Sequence, residues 1–274
     1  MSNFLDRLLG RSDRPTGNKV GPRHAENDGD GSDSPSLPEG RRLYSIGDIH
    51  GRLDLLEELH EMIRQDAIGF DGSKTVIYLG DYIDRGAQSS QVLDLLIGQT
   101  LRGFDTVFLM GNHEQSMLDF LQHPQAAAAW LTYGGQVTLL SYGVGIGQVV
   151  MSQDLEQLRD ELEEKLPQSH LDFLHSCRLV HTEGDYCFVH AGIRPDVPLQ
   201  EQAAQDLIWI RDEFILSRVR HEHVVVHGHS ITDEVEWLPN RIGIDTGAYQ
   251  SGLLTALVLQ GRDQRLLQTG RGGQ

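Results

Sequence analysis

The chain has little cysteine, since only Cys177 and Cys187 occur among its 274 residues, each in or beside an apolar run. Two such thiols provide neither a disulfide framework nor a structural zinc site with cysteine ligands, and we interpret them as reduced thiols of a cytoplasmic protein. No apolar run approaches the roughly 18 residues that a membrane-spanning helix needs, and no signal-peptide pattern opens the sequence. The sequence therefore predicts a cytoplasmic protein with no transmembrane segment.

Positive charge is also scarce, because 23 lysine and arginine residues stand against 40 acidic residues and the formal net charge is −17. A protein that neutralises a nucleic-acid backbone needs a basic surface, so this balance argues against nucleic acid as a partner. It does not exclude single phosphoryl groups held by a few arginines and metal ions. Apolar residues make up 39% of the chain, which is enough for a sizeable core in one large or two small domains.

Residues 12–40 have scarcely an apolar side chain and are rich in Gly, Pro, Ser, Asp and Asn. Such a segment cannot bury enough surface to become ordered, so we predict a disordered tail over residues 1–40 and a folded domain over residues 41–274. Apolar residues at 4–9 have the spacing of a short amphipathic helix, which is marginal in isolation. Docking of this helix to a partner or a membrane surface is one interpretation, and a solvated end is the one we favour.

Folded sequence begins near residue 41 with one pattern repeated three times: a short apolar strand, a polar loop that begins with glycine, and an amphipathic helix. The loops are GDIHGR at 47–52, GDYIDRG at 80–86 and GNHE at 111–114. Right-handed crossovers would make these strands parallel and bring the loops to one edge of the sheet, where α/β proteins build their sites. The middle of the chain is predicted to be helical with a break at Gly134 and Gly135, and the last third reads as short strands and hairpins. The sequence thus predicts an α/β fold with mixed sheets.

Two more polar loops follow apolar strands, HAG at 190–192 and HGHS at 227–230. A lone aspartate at a strand end is usually a turn or cap residue, and a lone histidine is usually a core residue. Five loops that all deliver carboxylate, carboxamide or imidazole groups fit that explanation poorly, because grouped acids repel one another unless a cation compensates them. The candidate ligands in these loops are Asp48, His50, Asp81, Asp84, Asn112, His113, His190, His227 and His229.

Mixed oxygen and nitrogen ligands without a thiolate suit divalent ions such as manganese, which we expect first, or iron or zinc. Six or more candidate ligands exceed the need of one catalytic metal, so we predict two divalent metal ions. Such a pair lies about 3.5 to 4 Å apart and lowers the pKa of a bridging water to about 7, which supplies hydroxide at neutral pH. This is chemistry suited to attack on phosphorus.

In this order, the motifs GDIHGR, GDYIDRG, GNHE, HAG and GHS resemble those of the metallo-dependent phosphoprotein phosphatases, the serine/threonine protein phosphatases within the calcineurin-like metallophosphoesterases. The resemblance spans roughly residues 42–250, and the segment WLTYGGQVTLLSYG at 130–143 is similar to bacterial members. It implies a calcineurin-like metallophosphoesterase fold, in which two mixed β-sheets pack as a sandwich flanked by helices. Residues 41–274 would then be the catalytic domain.

The resemblance also implies a set of metal ligands. These are Asp48 and His50 for one ion, Asn112, His190 and His229 for the other, and Asp81 as the bridge between them. Spacing alone does not separate His227 from His229, and the match to Gly-His-Ser selects His229. His227 would then lie behind the ligands or in the core.

The remaining motif residues are implied to bind and protonate the substrate. His113 would protonate the leaving oxygen, with Asp84 orienting its ring and favouring its charged form. Arg85 would bind the phosphoryl oxygens, because a guanidinium fits two of them better than lysine does. Arg211 in the segment IWIR would join it, although this match is looser and a surface charge is the other interpretation.

We therefore expect a metal-dependent phosphomonoesterase, namely a serine/threonine protein phosphatase that acts on phosphoproteins or phosphopeptides. The reaction would be direct attack by a hydroxide that bridges two metals, and hydrolysis of phosphotyrosine is left open. A symmetrical diadenosine tetraphosphate hydrolase or another nucleotide phosphoesterase is the alternative, although such hydrolases typically have Gln where His50 stands. A catalytically dead scaffold that uses the tail as a docking arm is a third interpretation. It is weakened because no motif position is lost.

Overall fold

The computed structural model describes residues 34–98, 101–145 and 154–270, all of which belong to one compact unit, Ser34–Gln274. Most of the predicted tail, including the segment 4–9, lies outside the described residues, so its disorder and its docking role stay predictions. Residues 34–40 are ordered. The side chain of Leu37 is buried between the sheets and its N–H donates to Gly261 O at 2.8 Å, while Ser36 N–H donates to Asp185 Oδ2 at 2.8 Å. Ordered chain thus begins before residue 41.

The first sheet is mixed and has the strand order β10-β9-β1-β2-β3. Strands β1, β2 and β3 are parallel, and helices α1 (Leu53–Asp66) and α2 (Ser89–Gly98) lie between them in the chain, as the repeated pattern predicts. Strands β9 and β10 form an antiparallel hairpin beside β1. The strands are β1 (Arg41–Ile46), β2 (Ser73–Tyr78), β3 (Asp105–Phe108), β9 (Thr255–Gln260) and β10 (Asp263–Gln268).

The second sheet is also mixed and has the strand order β4-β5-β6-β8-β7. Its central pairs β5/β6 and β6/β8 are parallel, and its outer pairs β4/β5 and β7/β8 are antiparallel. The strands are β4 (Val180–Glu183), β5 (Tyr186–Val189), β6 (Val224–His227), β7 (Glu236–Trp237) and β8 (Arg241–Gly243).

Apolar side chains fill both faces of the first sheet, because alternate residues of a strand point to opposite sides. Leu43 and Ile77 join Phe188 and Val226 of the second sheet in one buried cluster, whereas Tyr44 belongs to the cluster that includes the helices. The predicted fold, two mixed sheets packed as a sandwich and flanked by helices, is confirmed.

Seven further α-helices and two short helical turns complete the described structure. They are α3 (Asn112–Gln122), a π-helical turn (Leu131–Gly135), α4 (Gln136–Ser141), α5 (Leu155–Lys165), α6 (Gln168–Ser176), a 3-10 turn (Leu199–Glu201), α7 (Ala204–Trp209), α8 (Asp212–Ile215) and α9 (Ala248–Ser251). Within the described ranges, no helix has both the length and the apolar character needed to cross a bilayer.

Candidate active site

Hydrogen bonds join the polar loops that follow the strands of the two sheets. The N–H of His113 donates to Asp81 Oδ1 at 3.1 Å, which connects the loops after β2 and β3. The N–H of His229 donates to Asp48 Oδ2 at 3.0 Å, which connects the loop after β6 to the loop after β1. His190, after β5, has its Nε2 3.4 Å from Asp81 Oδ1. Loops that are far apart in the sequence therefore meet at one place.

The backbone of these loops is strained. Of the six described non-glycine residues with positive φ, five carry predicted site side chains: His50 (47°), Asp81 (50°), Asp84 (72°), Arg85 (67°) and His229 (63°). L-residues adopt this region rarely, and strain of this kind persists where the surrounding structure enforces it, often at functional sites. The fold thus maintains an unfavourable backbone to aim these side chains.

Asp81 belongs to two groups of potential metal ligands. His50, Asp81 and His113 form one group, and Asp81, His190 and His229 form the other, with the candidate ligand atoms of each group within 4.8 Å of one another. Asp81 Oδ2 is 3.5 Å from His50 Nε2, whereas Oδ1 is 3.4 Å from His190 Nε2. Because its two oxygens face different imidazoles, this carboxylate is placed as a bridging ligand would be.

The ring orientations of the histidines leave one nitrogen of each free for a metal. The Nδ1 of His50 is 2.8 Å from Ile83 O, and the Nδ1 of His190 is 2.8 Å from Leu79 O. A carbonyl oxygen only accepts, so both Nδ1 atoms carry the hydrogen and both Nε2 atoms keep a lone pair. The Nε2 of His229 is buried and has no hydrogen-bond partner among the described residues. These are the features of neutral metal-ligating imidazoles.

The protonation states of the group agree with this assignment. Burial lowers the pKa of His50 to about 3 and that of His229 to about 2, so both rings are neutral at neutral pH. Burial would raise the pKa of Asp81, but the positive charges that the surrounding imidazoles carry when they are protonated, led by His190, lower it below its usual range. Neutral imidazoles around an ionised carboxylate are the protonation states in which a divalent cation binds.

Asn112 reaches the second group through His190. Its Oδ1 lies 2.9 Å from His190 Nε2. Because the Nδ1 of His190 already carries the hydrogen, two acceptor atoms face each other at this distance, and a cation between such atoms would relieve their repulsion. His227 lies apart, with its Nδ1 3.0 Å from Gly228 O and its ring packed edge-on against Phe214. The structure thus places His229, and not His227, beside Asp81.

Asp48 lies near a second buried carboxylate, that of Asp245. Burial, and then the charges of Asp245 and Asp81, raise the pKa of Asp48 well above its usual range, and burial raises the pKa of Asp245 to about 6. Three buried carboxylates this close favour protonation unless a cation compensates them. Asp245 also follows an apolar strand, and its Oδ1 accepts a hydrogen bond from the N–H of Gly247 at 2.9 Å.

His113 is held by Asp84. Its Nδ1 is 2.6 Å from Asp84 Oδ2, and Asp84 also accepts hydrogen bonds from Trp130 Nε1 at 2.8 Å and Thr138 Oγ1 at 2.6 Å. Burial would lower the pKa of His113, but the charges of Asp81 and Asp84 and the Asp84 hydrogen bond outweigh burial and raise it. The Nε2 of His113 can therefore hold a proton for donation. Trp130 and Thr138 were not predicted as site residues, although the WLTYGGQVT segment was noted.

The two predicted arginines differ in their surroundings. The Nη2 of Arg85 is 3.3 Å from His113 Nε2, so this guanidinium lies within the site. Arg211 precedes α8, is exposed, and forms no side-chain hydrogen bond or ion pair with the described part of the chain. Burial lowers the pKa of His190 and of His229, and the charge of Arg211 adds a smaller lowering of both, as a cation near these two rings would.

Glu114, the last residue of GNHE, organises the backbone of the site. It is fully buried and accepts hydrogen bonds from the N–H groups of Asp81 and Tyr82 at 2.8 Å, Gly111 at 3.0 Å and Ile83 at 3.2 Å. A Cβ on Gly111 would lie 2.2 Å from Asp81 Oδ1, so only glycine fits there. The sequence motif was noticed, but this role for its glutamate was not.

Comparisons with known proteins identify the family of this chain. A family model described as calcineurin-like phosphoesterase matches residues 41–249. The asymmetrical bis(5'-nucleosyl)-tetraphosphatase of Anoxybacillus flavithermus is 25% identical over 232 residues, which cover 77% of this chain and 88% of that protein. Serine/threonine-protein phosphatase 2 of Escherichia coli is 27% identical over 227 residues, which cover 78% of this chain and 91% of that protein.

A solved structure extends the comparison to the fold. The cold-active protein-tyrosine phosphatase of a psychrophilic Shewanella species superimposes with a TM-score of 0.55 at 18% identity, covering 85% of this chain and 80% of that one. The family model spans eight of the ten described strands, and the resemblance inferred from the five motifs is confirmed. The chain belongs to the calcineurin-like phosphoesterase family.

Proposed function

We propose that this protein is a metal-dependent phosphomonoesterase that hydrolyses phosphoserine and phosphothreonine in proteins. The observation that carries the proposal is the position of Asp81 between two imidazole groups, with His113 Nε2 only 3.8 Å from Asp81 Oδ2. A potential bridging ligand and a potential acid are thus next to each other in one buried site. Similarity to the E. coli serine/threonine-protein phosphatase supports the choice of a phosphoprotein substrate.

The metal ligands we propose are those implied by the motifs, and the donor set described above fits two divalent cations. Manganese is the ion we favour, with iron or zinc as alternatives. When bound, such a pair supplies hydroxide at neutral pH by lowering the pKa of a water molecule. The proposed assignment is Asp48 and His50 to one ion, Asn112, His190 and His229 to the other, and Asp81 to both.

The other side chains act on the phosphoester. Arg85 binds the phosphoryl oxygens, whose negative charge is spread in the loose transition state of phosphoryl transfer, and Arg211 assists from the exposed side. His113 protonates the leaving oxygen from Nε2, because its Nδ1 is engaged by Asp84. Trp130 and Thr138 keep the Asp84 carboxylate in place. A serine alkoxide is a poor leaving group, so this proton is needed most with a phosphoserine substrate.

A dinucleoside tetraphosphate hydrolase is the second candidate. The similarity to the bis(5'-nucleosyl)-tetraphosphatase of A. flavithermus favours it. His50 argues against the symmetrical type of hydrolase, because such enzymes typically have Gln at this position. In this chain the Nε2 of His50 points to Asp81 as a potential ligand.

The deciding experiment compares kcat/KM of the purified full chain with manganese on a serine phosphopeptide and on a dinucleoside tetraphosphate. We expect hydrolysis of the phosphopeptide, and a loss of that activity in His113→Asn with the metal content unchanged. Consumption of the dinucleotide alone would replace the proposal with the second candidate. No hydrolysis of either substrate, or of an aryl phosphate, with manganese, iron or zinc would support the scaffold interpretation.

A further inference from the structure

Tyr249, in the four-residue helix α9, lies against two residues of the candidate site. The Cζ of Arg85 is 4.6 Å from the centroid of its ring, and the ring centroid of His50 is 5.4 Å away in an edge-on orientation. A guanidinium at this distance from a tyrosine face is attracted by the ring quadrupole. No motif pointed to Tyr249, which falls in the segment GAYQSG at 247–252.

The contact matters because of how Arg85 is otherwise held. Among the described residues, no carboxylate forms an ion pair with this guanidinium. Its single polar contact joins Nη2 to His113 Nε2 at 3.3 Å, and the ring accepts this hydrogen bond only while Nε2 carries no proton. An acidic partner would occupy two of its N–H donors in a bidentate pair. An aromatic face attracts the cation without using donors, so the N–H groups remain available for phosphoryl oxygens.

The position of α9 is fixed by contacts of the two residues that precede the tyrosine. Before it, Gly247 has a φ of 64° and its N–H donates to Asp245 Oδ1 at 2.9 Å. Arg52, in the loop after β1, donates from Nη1 to Ala248 O at 3.0 Å. This loop also carries Asp48, one of the proposed metal ligands. The ring is therefore tied to the same loops that carry the proposed metal ligands.

We propose that Tyr249 is a positioning residue for Arg85, whose ring face holds the guanidinium ready for the phosphoryl group. The inference rests on the proposed function of Arg85 in phosphoryl binding. Removal of the aromatic face should weaken phosphate binding, because Arg85 would then have to be ordered when substrate binds. The attraction of a cation to an aromatic ring corresponds to an effect of about 2- to 30-fold.

The test uses the full chain with its metals and four variants: Tyr249→Leu, Tyr249→Phe, Arg85→Ala and the double variant Tyr249→Leu/Arg85→Ala. Leucine removes the π face but keeps a bulky apolar side chain, whereas phenylalanine keeps the face and removes the hydroxyl. Trp237→Leu, the same kind of change at an exposed aromatic residue of β7, is the matched control. The readouts are KM and kcat for an aryl phosphate, the Ki of inorganic phosphate, and the metal content.

We expect Tyr249→Leu to raise KM and the Ki of phosphate by about 2- to 30-fold with unchanged metal content. Tyr249→Phe and Trp237→Leu should match the parent. In the double variant, the loss of the ring should add nothing to Arg85→Ala. An additive loss would overturn the inference, as would a Tyr249→Phe variant as weak as Tyr249→Leu, because the hydroxyl would then be the acting group. If Arg85→Ala itself leaves KM and Ki unchanged, the proposed function of Arg85 fails, and with it this inference.

Discussion

Replacement of Asp84 by asparagine tests how His113 is prepared to donate a proton. Asp84 is fully buried and accepts hydrogen bonds from His113 and Trp130 on Oδ2 and from Thr138 on Oδ1. In Asp84→Asn the amide oxygen can take the place of Oδ2. The amide NH2 then faces Thr138 Oγ1, which can accept from it and donate instead to Ser89 Oγ at 3.0 Å. The variant therefore removes the negative charge and keeps the hydrogen-bond geometry.

The expected loss follows from that missing charge. A hydrogen bond to a charged group contributes about 1.5 to 3 kcal/mol, which corresponds to a fall in kcat of about 10- to 150-fold where protonation of the leaving oxygen limits the rate. The sign of the pH effect also follows. Asp84 helps to raise the pKa of His113, so its neutralisation lowers that pKa. The protonated form is the active one, and the alkaline limb of the kcat profile should move to lower pH.

The assay compares two substrates with different leaving groups. Asp84→Asn should lower kcat strongly on a serine phosphopeptide and little on p-nitrophenyl phosphate, whose leaving group needs no proton. Asp119→Asn is the matched control, because Asp119 is an exposed acid on the same helix α3 and hydrogen-bonds to Gln115. An equal loss on both substrates, or a loss of metal, would refute the reasoning that Asp84 acts through the proton of His113.

Two further substitutions test the metal ligands and the backbone of the site. Asp81→Asn removes the charge that the two ligand groups share, so the bound metal should fall below two ions per chain and activity should drop at least about 100-fold. Elemental analysis measures the metal content, with Asp119→Asn as the control. A variant that keeps both ions would contradict the bridging role. Glu114→Gln replaces one carboxylate oxygen by an amide nitrogen that cannot accept, which leaves two of four buried N–H groups without a partner. Each such group costs about 1 to 3 kcal/mol, so the free energy of unfolding in urea should fall by about 2 to 6 kcal/mol, and an unchanged value would exclude the backbone role of this residue.

The sequence predicts those parts of the fold and the site that local patterns of residues indicate. An apolar strand followed by a glycine and a polar residue indicates that a polar side chain lies at the end of that strand. The structure brings the polar side chains at these strand ends together. The break predicted at Gly134 and Gly135 is also present, since Gly134 has a φ of 119° inside the π-helical turn.

Other contributions depend on contacts between distant segments, which no local pattern encodes. Asp245 has the appearance of a turn residue until the fold brings it to Asp48, and α9 is too short to show a helical period. Glu114 acts on the loop after β2 from the helix after β3. Leu37 is a single apolar residue in a polar segment, and only the space between the sheets explains its burial.

The contacts of residues 36 and 37 have a practical consequence for where the polypeptide can be cut. Gly261 follows β9, whose last residue Gln260 pairs with Arg42 near the start of β1, whereas the loop with Asp48 and His50 follows Ile46 at the other end of that strand. Residues 36 and 37 thus contact the two sheets at the end of β1 that lies away from Asp48 and His50. A recombinant protein that starts at Ser34 would retain the contacts of Ser36 and Leu37, and one that starts at residue 41 would lose these contacts while it kept every proposed site residue.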